Sequence, residues 1–287
     1  MQRGQPSRTA FAAAAHRAAH QTLEQGRIFA DPLAARILGE DPDAIARDAS
    51  ENPERTGMRL FIAARSRFAQ DSLASAIHCG TEQLVVLGAG LDTFAYRSPF
   101  RDRLKIFEVD HPDTQAWKRA RLLSAGIEIP PWLTFAPVDF ERETLAGGLA
   151  AARFDPARAT FFNWLGVVPY LTKDAIASTL ACIAAISGGA HVVFDFADPP
   201  ESLSPELRLR HQRRAERVAA IGEAFLSYFD SMELRALLTD RGFREIDDLG
   251  PRQIAERYFA GLYFKVPLDS IPERGGHILR ASTTSLL

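Results

Sequence analysis

The residues whose spacing speaks most directly of chemistry begin at Gly88. Val85-Val86-Leu87 reads as a buried strand, and Gly88-Ala89-Gly90 turns out of it before Leu91-Asp92-Thr93. Two glycines in such a turn remove two Cβ atoms and let a nucleotide-like ligand approach the backbone. Asp110 stands twenty positions past Gly90 at the end of the next apolar run, where an acid accepts hydrogen bonds from a ribose diol. A glycine turn alone fits any strand-to-helix connection; with a correctly spaced carboxylate it favours a nucleoside. A third run ends in Asp139-Phe140, a carboxylate for an adenine amino group and a ring to cover the base. The plainer reading of Asp139 is a cap for the following helix.

The nucleoside is narrowed by a residue that does not fit. The third glycine of the dinucleotide fingerprint would fall at position 93, where Thr93 stands, so the close packing that seats a pyrophosphate is not provided. A cofactor with ribose but no phosphates fits better, which points to S-adenosylmethionine. Asp92 either faces the positively charged end of that cofactor or serves a helix first turn, where the dipole favours an acid. His111 and Tyr170 are candidate bases, although Pro112 also marks His111 as a helix N-cap. His16 and His20 share one helical face, yet no glutamate lies between them and no third ligand is in view, so no metal site is expected.

The elements that hold these residues follow from periodicity. Residues 9–38 and 57–77 carry helical spacing, so 1–78 reads as a helical extension and 79–287 as the cofactor-binding domain, together one structural domain. From residue 82, short apolar runs at 84–87, 105–109, 133–138, 160–165 and 191–196 alternate with helix candidates at 112–125, 141–152 and 172–186. Pro112 opens the first of these helices and Thr172 caps the third. Such alternation predicts a doubly wound, mostly parallel α/β sheet. Pro137 within the third run demands an edge strand, giving the order 3-2-1-4-5. Residues 198–229 are an Arg-rich excursion read as a lid insertion, followed by a helix at 230–241 and a strand at 243–249. Further strand candidates at 258–264 and 277–283 predict a terminal antiparallel hairpin. The strand ends at Gly88, Asp110 and Asp139 then meet at one crevice.

The whole chain limits the alternatives. It has 287 residues, 34 basic against 36 acidic side chains, and a formal net charge of −2, which argues against a general binder of nucleic-acid backbone. Its 46% hydrophobic and 24% charged content is that of an ordinary globular protein. No apolar run approaches membrane-spanning length and the first ten residues lack a signal-peptide core, so a cytoplasmic, membrane-free protein is expected. Two cysteines, Cys79 and Cys182, encode neither a disulfide framework nor a thiolate zinc site.

Five stretches resemble the leucine carboxyl methyltransferase-like group of S-adenosylmethionine-dependent O-methyltransferases. They are Ile28 to Ala34 (IFADPLA), Ala64 to Phe68 (ARSRF), Leu87 to Thr93 (LGAGLDT), Phe107 to Pro112 (FEVDHP) and Val138-Asp139-Phe140, in family order. The resemblance implies a Rossmann-like fold in which Arg65 meets the cofactor's methionine carboxylate, Gly88 and Gly90 pass under the cofactor, and Asp110 and Asp139 hold ribose and adenine. The family often carries glutamate where Leu165 stands here, which leaves Asn163 or a backbone carbonyl to serve the cofactor amine. Tyr170 and Arg27 are the candidate acceptor contacts, and His111 joins the cofactor set. The expected activity is methyl transfer to oxygen, foremost a small-molecule carboxylate, with a hydroxyl second; the oligomeric state stays open. A carboxylate acceptor needs no general base, because its ordinary pKa of roughly 4 leaves it ionised at neutral pH. A nicotinamide-dependent dehydrogenase would need Tyr-x-x-x-Lys, but Asp174 follows Tyr170 by four. A scaffold that binds the nucleoside without turnover is the other alternative.

Overall fold

The computed structural model describes residues 7–101, 103–140, 142–262 and 267–284. Four helices come first: α1 (Arg8–Leu23), α2 (Ala34–Leu38), α3 (Pro42–Glu51) and α4 (Thr56–His78). Ser7 caps α1 by accepting from the Ala10 N–H, and Asp41 caps α3 ahead of Pro42. The single helical stretch expected over 9–38 is broken at Gln25-Gly26, both with positive φ. Asp31 does not open α2, whose N-cap is Leu33.

The alternating part follows as β1 (Gln83–Leu87), α5 (Phe94–Arg97), β2 (Lys105–Asp110), α6 (Pro112–Ser124), β3 (Leu133–Pro137), α7 (Leu145–Ala151), β4 (Thr160–Trp164), α8 (Lys173–Ala184) and β5 (Ala190–Ala197). The chain then runs through α9 (Pro205–Ala219), α10 (Ser231–Asp240), β6 (Glu245–Leu249), α11 (Pro251–Tyr258) and β7 (Gly276–Ser282). Seven strands form one sheet in the order β3-β2-β1-β4-β5-β7-β6. The first five are parallel, and β7 is antiparallel to both β5 and β6. Pro137 sits at the end of β3, which pairs only with β2, so its missing N–H leaves no ladder position empty.

The C-terminal strands depart from the expectation in one respect. Residues 258–262 are the end of α11 and a turn, not a strand, while 263 and 264 lie outside the described residues. The antiparallel pair is instead β6 with β7, with α11 lying between them in sequence, and β7 inserts beside β5. The Arg-rich excursion contains α9, capped by Ser204 and carrying no fully buried residue.

Val85, Leu87, Phe162, Val192 and Phe194 are buried with α7, α8 and α10 on one face of the sheet. Leu84, Val86, Phe161 and Val193 are buried with α4 on the other. The strands are thus apolar on both sides, as parallel sheets covered by helices require. A third cluster of Ala14, Ala18, Ile37, Leu38, Leu91 and Leu122 joins α1 and α2 to the loop after β1 and to α6.

Candidate functional site

β1 and β4 are neighbours although five elements separate them, so the sheet order switches at their carboxyl ends and leaves the crevice where open α/β sheets bind ligands. Gly88 (φ +64°) and Gly90 (φ +44°) shape the β1 loop in backbone conformations that disfavour side chains. A Cβ on Gly88 would lie 2.4 Å from Val167 Cγ2, and one on Gly90 would lie 2.8 Å from the Ala10 methyl. The loop is therefore pressed between the β4 loop and the first turn of α1.

Asp110 ends β2 and accepts from the Gly90 N–H at 2.6 Å and the His111 N–H at 2.7 Å. Burial pushes its carboxyl up, and these two N–H groups partly offset that. His111 is the N-cap of α6, its Nδ1 accepting from the Asp113 N–H at 3.2 Å. That contact fixes Nδ1 as an acceptor and puts the side chain to helix capping. Asp139 leaves the cap of α7 to Thr144 and ion-pairs with Arg142 at 3.6 Å. Phe140 beside it is 55% exposed, so its ring is not committed to the core. Asp92 accepts from the Phe94 N–H at 2.8 Å, serving the first turn of α5.

Thr93 explains the absent third glycine. Its hydroxyl donates to Asp31 at 2.7 Å, and Asp31 is almost fully buried. Arg17 binds Asp31 at 2.9 Å and the Leu91 carbonyl at 2.7 Å, and Arg97 lies 3.4 Å from Asp31. Burial alone would raise Asp31, but Arg17, Arg97 and the Thr93 hydroxyl hold it below the usual carboxylate range. The helical extension is thus bolted to the glycine loop by buried charge. Three residues further along α1, His20 pairs with Glu24 at 3.0 Å while its Nε2 accepts from the Ile28 and Phe29 N–H groups. Both ring nitrogens are engaged.

Arg65, on α4, is neither solvated nor free. It donates to Asp195 at 2.8 Å, and the other Asp195 oxygen accepts from the Gly166 N–H at 2.5 Å. A Cβ on Gly166 would stand 2.7 Å from the Arg65 guanidinium, so glycine opens the space that arginine occupies. Asn163, on β4, keeps its Oδ1 buried without a hydrogen-bond partner. With Asp92, Ser66 and Gln70 it lines a cavity of about 20 Å³ between α4 and the sheet, room for about one water. Tyr170 packs on Phe225 at 5.4 Å between ring centroids. Arg27 is exposed and donates to the Gly261 carbonyl.

One group escaped the sequence reading. Asp195 had a legible signal, an acid inside the apolar run Val193-Phe194-Asp195-Phe196. The sequence takes His16 only as a metal candidate with His20, and Arg214 only as part of the Arg-rich excursion, without their buried surroundings. Burial, then Arg59, Arg55, Arg65 and Arg214, lower His16 to about 4, so its imidazole is neutral near pH 7.

A family model described as leucine carboxyl methyltransferase matches residues 10–184, more than half of the chain and the stretch holding every residue of this crevice up to Tyr170. The chain belongs to the leucine carboxyl methyltransferase family. It is an S-adenosylmethionine-dependent methyltransferase. A protein of Bacillus subtilis named "Putative S-adenosyl-L-methionine-dependent methyltransferase YktD" is 30% identical over 91% of this chain and 93% of its own length. A Saccharopolyspora erythraea protein with the same description is 32% identical, but over only 62% of this chain and 63% of its own. The solved structure of a "putative methyltransferase" from Thermobifida fusca superposes with a TM-score of 0.58 at 14% identity, covering 99% of this chain and 97% of that one, which shows the shared fold. The crevice suits the family's cofactor: the buried Asn163 oxygen has no hydrogen-bond partner, and Gly88 and Gly90 hold the β1 loop in positive-φ conformations that keep side chains off its backbone.

Proposed function

We propose that this methyltransferase transfers the methyl group to an oxygen of a small-molecule carboxylate. The observation that carries the reading is the positive field at His16, where Arg59, Arg55, Arg65 and Arg214 add to burial in lowering the imidazole to about 4 even with Glu24 and Asp195 paired to Arg59 and Arg65. Such a field attracts an acceptor that is already an anion and costs it nothing in deprotonation. Bound S-adenosylmethionine supplies a sulfonium methyl: a lone pair on the acceptor oxygen forms the O–C bond as the C–S bond breaks, and that bond's electrons remain on sulfur as a neutral thioether.

The chain's own residues bind and orient. Asp110 offers its remaining lone pairs to the ribose hydroxyls, and Gly88 and Gly90 bring backbone against the cofactor. Asp139 and Phe140 flank the adenine. Asn163 Oδ1 and Asp92 face the ammonium end, in the place of the glutamate that Leu165 displaces. The Arg65 donors left over from Asp195 take the methionine carboxylate. α1 and the β4 loop close over this arrangement and exclude water, so that nucleophile and methyl are held in line.

The test is methyl transfer from labelled S-adenosylmethionine to paired acids and alcohols of matched shape. Products that release label in mild base are esters and support the reading. Transfer only to phenols or alcohols, giving base-stable ethers and lost in His16→Gln, would replace it by hydroxyl methylation with His16 as the base.

A further inference from the structure

The arginines of α9 are not alike. Arg208 donates to the carbonyls of Pro200, Glu201 and Leu203, and Arg210 pairs with Glu206 at 2.7 Å on the surface. Arg214 turns inward instead. Its guanidinium lies 5.0 Å from the centre of the Phe225 ring, and no hydrogen bond or ion pair holds it among the described residues. Phe225 is in turn packed by Tyr170 at 5.4 Å and by His211 at 5.8 Å, and His211 Nε2 is engaged with the Tyr228 hydroxyl at 2.9 Å. The Leu226 N–H donates to the Pro169 carbonyl at 2.7 Å, which fastens this aromatic wall to the loop after β4.

The charges around Arg214 do not cancel. Asp195, the acid beside it, is already spent on Arg65 and the Gly166 N–H. Burial lowers Arg214 and the neighbouring Arg65 works in the same direction, while Tyr170, whose phenol burial pushes up, packs on the same Phe225 ring as the guanidinium. A guanidinium placed against aromatic rings without an anion is costly, and its planar fork matches a carboxylate. Phe225 covers only one face of that fork.

We propose that Arg214, with the Tyr170 hydroxyl, is the anchor for the acceptor carboxylate, and that the acceptor is a carboxylic acid carrying a flat apolar group that packs on the Tyr170 and Phe225 rings. This rests on the carboxylate reading above and names the class of acid. Each carboxylate oxygen has two lone pairs, so a forked contact leaves one for the methyl group. The ester formed has lost its charge and with it the forked ion pair, so Arg214 holds substrate more tightly than product.

The experiment is calorimetric titration of benzoate, phenylacetate, methyl benzoate and benzyl alcohol into the protein saturated with S-adenosylhomocysteine, paired with the methyl-transfer assay on the same compounds. Wild type is expected to bind at least one of the two acids tenfold or more tightly than the ester or the alcohol. Arg214→Gln is expected to lower acid affinity at least tenfold, Arg214→Lys to recover part of it, and Arg210→Gln to change nothing, with S-adenosylhomocysteine affinity the same in all four proteins. Acid affinity unchanged in Arg214→Gln, equal binding of acid and ester, or no acid binding at millimolar concentration overturns the anchor. Ester formation that survives Arg214→Gln at the wild-type KM leaves the carboxylate reading standing and removes only the anchor; transfer to benzyl alcohol alone removes the reading itself.

Discussion

At the scale of single residues, Asp110 connects two jobs that a sequence cannot join. Its spacing from Gly90 predicts a ribose acid, and its contacts show that it clamps the Gly90 and His111 N–H groups. Asp110→Ala should therefore lose both ribose contact and loop order. Wild type in S-adenosylhomocysteine at about 100 times its dissociation constant should gain roughly 2.7 kcal/mol of apparent stability. The variant is expected to show no such gain in a thermal shift assay, and a wild-type shift would count against the assignment. Gly90→Ala meets a second obstacle, since the new methyl would stand 2.8 Å from Ala10 at a φ of +44°. Binding lost in Gly90→Ser as well, but kept in Gly80→Ala, where nothing lies within 4 Å, would separate the crevice from a general effect of positive φ.

At the scale of elements, the question is why four helices precede the sheet. Asp31 answers it by joining α1, through Arg17, to the glycine loop and α5, through Thr93 and Arg97. Asp31→Ala leaves two arginines in a buried site without their anion, which costs roughly 3–5 kcal/mol when such a pair is broken from one side. Chemical denaturation should show a loss of that order, whereas Asp41→Ala, an exposed cap of α3, should cost only about 1 kcal/mol. Equal losses in the two variants would mean that the extension is not fastened through Asp31. At the other end of α1, Glu223 receives the Arg8 N–H at 3.0 Å and the Thr9 hydroxyl, tying the segment after α9 to the helix that overlies Gly90.

At the scale of the whole molecule, acid should weaken the fold from two remote places. His16 and His191 are each lowered to about 4 from 6.5, in both cases first by burial, with Arg280 adding to the effect at His191. The unfolded chain then binds protons that the folded one refuses, so stability is complete above pH 6.5 and falls as pH drops toward 4. His191 contributes roughly 1–3 kcal/mol of that loss. His191→Gln should flatten the fall in urea midpoint between pH 6.5 and 4, and an unchanged slope would show that its imidazole already charges in the folded state. His277 runs the other way: although burial opposes it, Asp248 and Asp198 raise it, so its contribution is present in acid and fades as pH rises.

Much of this molecule was determined within short stretches of chain. Two glycines with positive φ, Pro112 and Thr172 at helix starts and Pro137 on an edge each act through the backbone within a few residues, so their signals are local, and strand spacing places the carboxylate that ends the next strand. Strand order up to β5 followed from the same evidence. What only the tertiary structure decided depends on contacts between distant segments: Asp195 meeting Arg65 across 130 positions, Thr93 taking Asp31 across 62, and β7 passing between β5 and β6. Arg214 is the sharpest case. In sequence it is one of several arginines on a polar helix, and only the packing of Phe225 beneath it turns that one inward. A side chain's charge is written in the sequence, but whether water or a buried neighbour answers it is set by the folded surroundings.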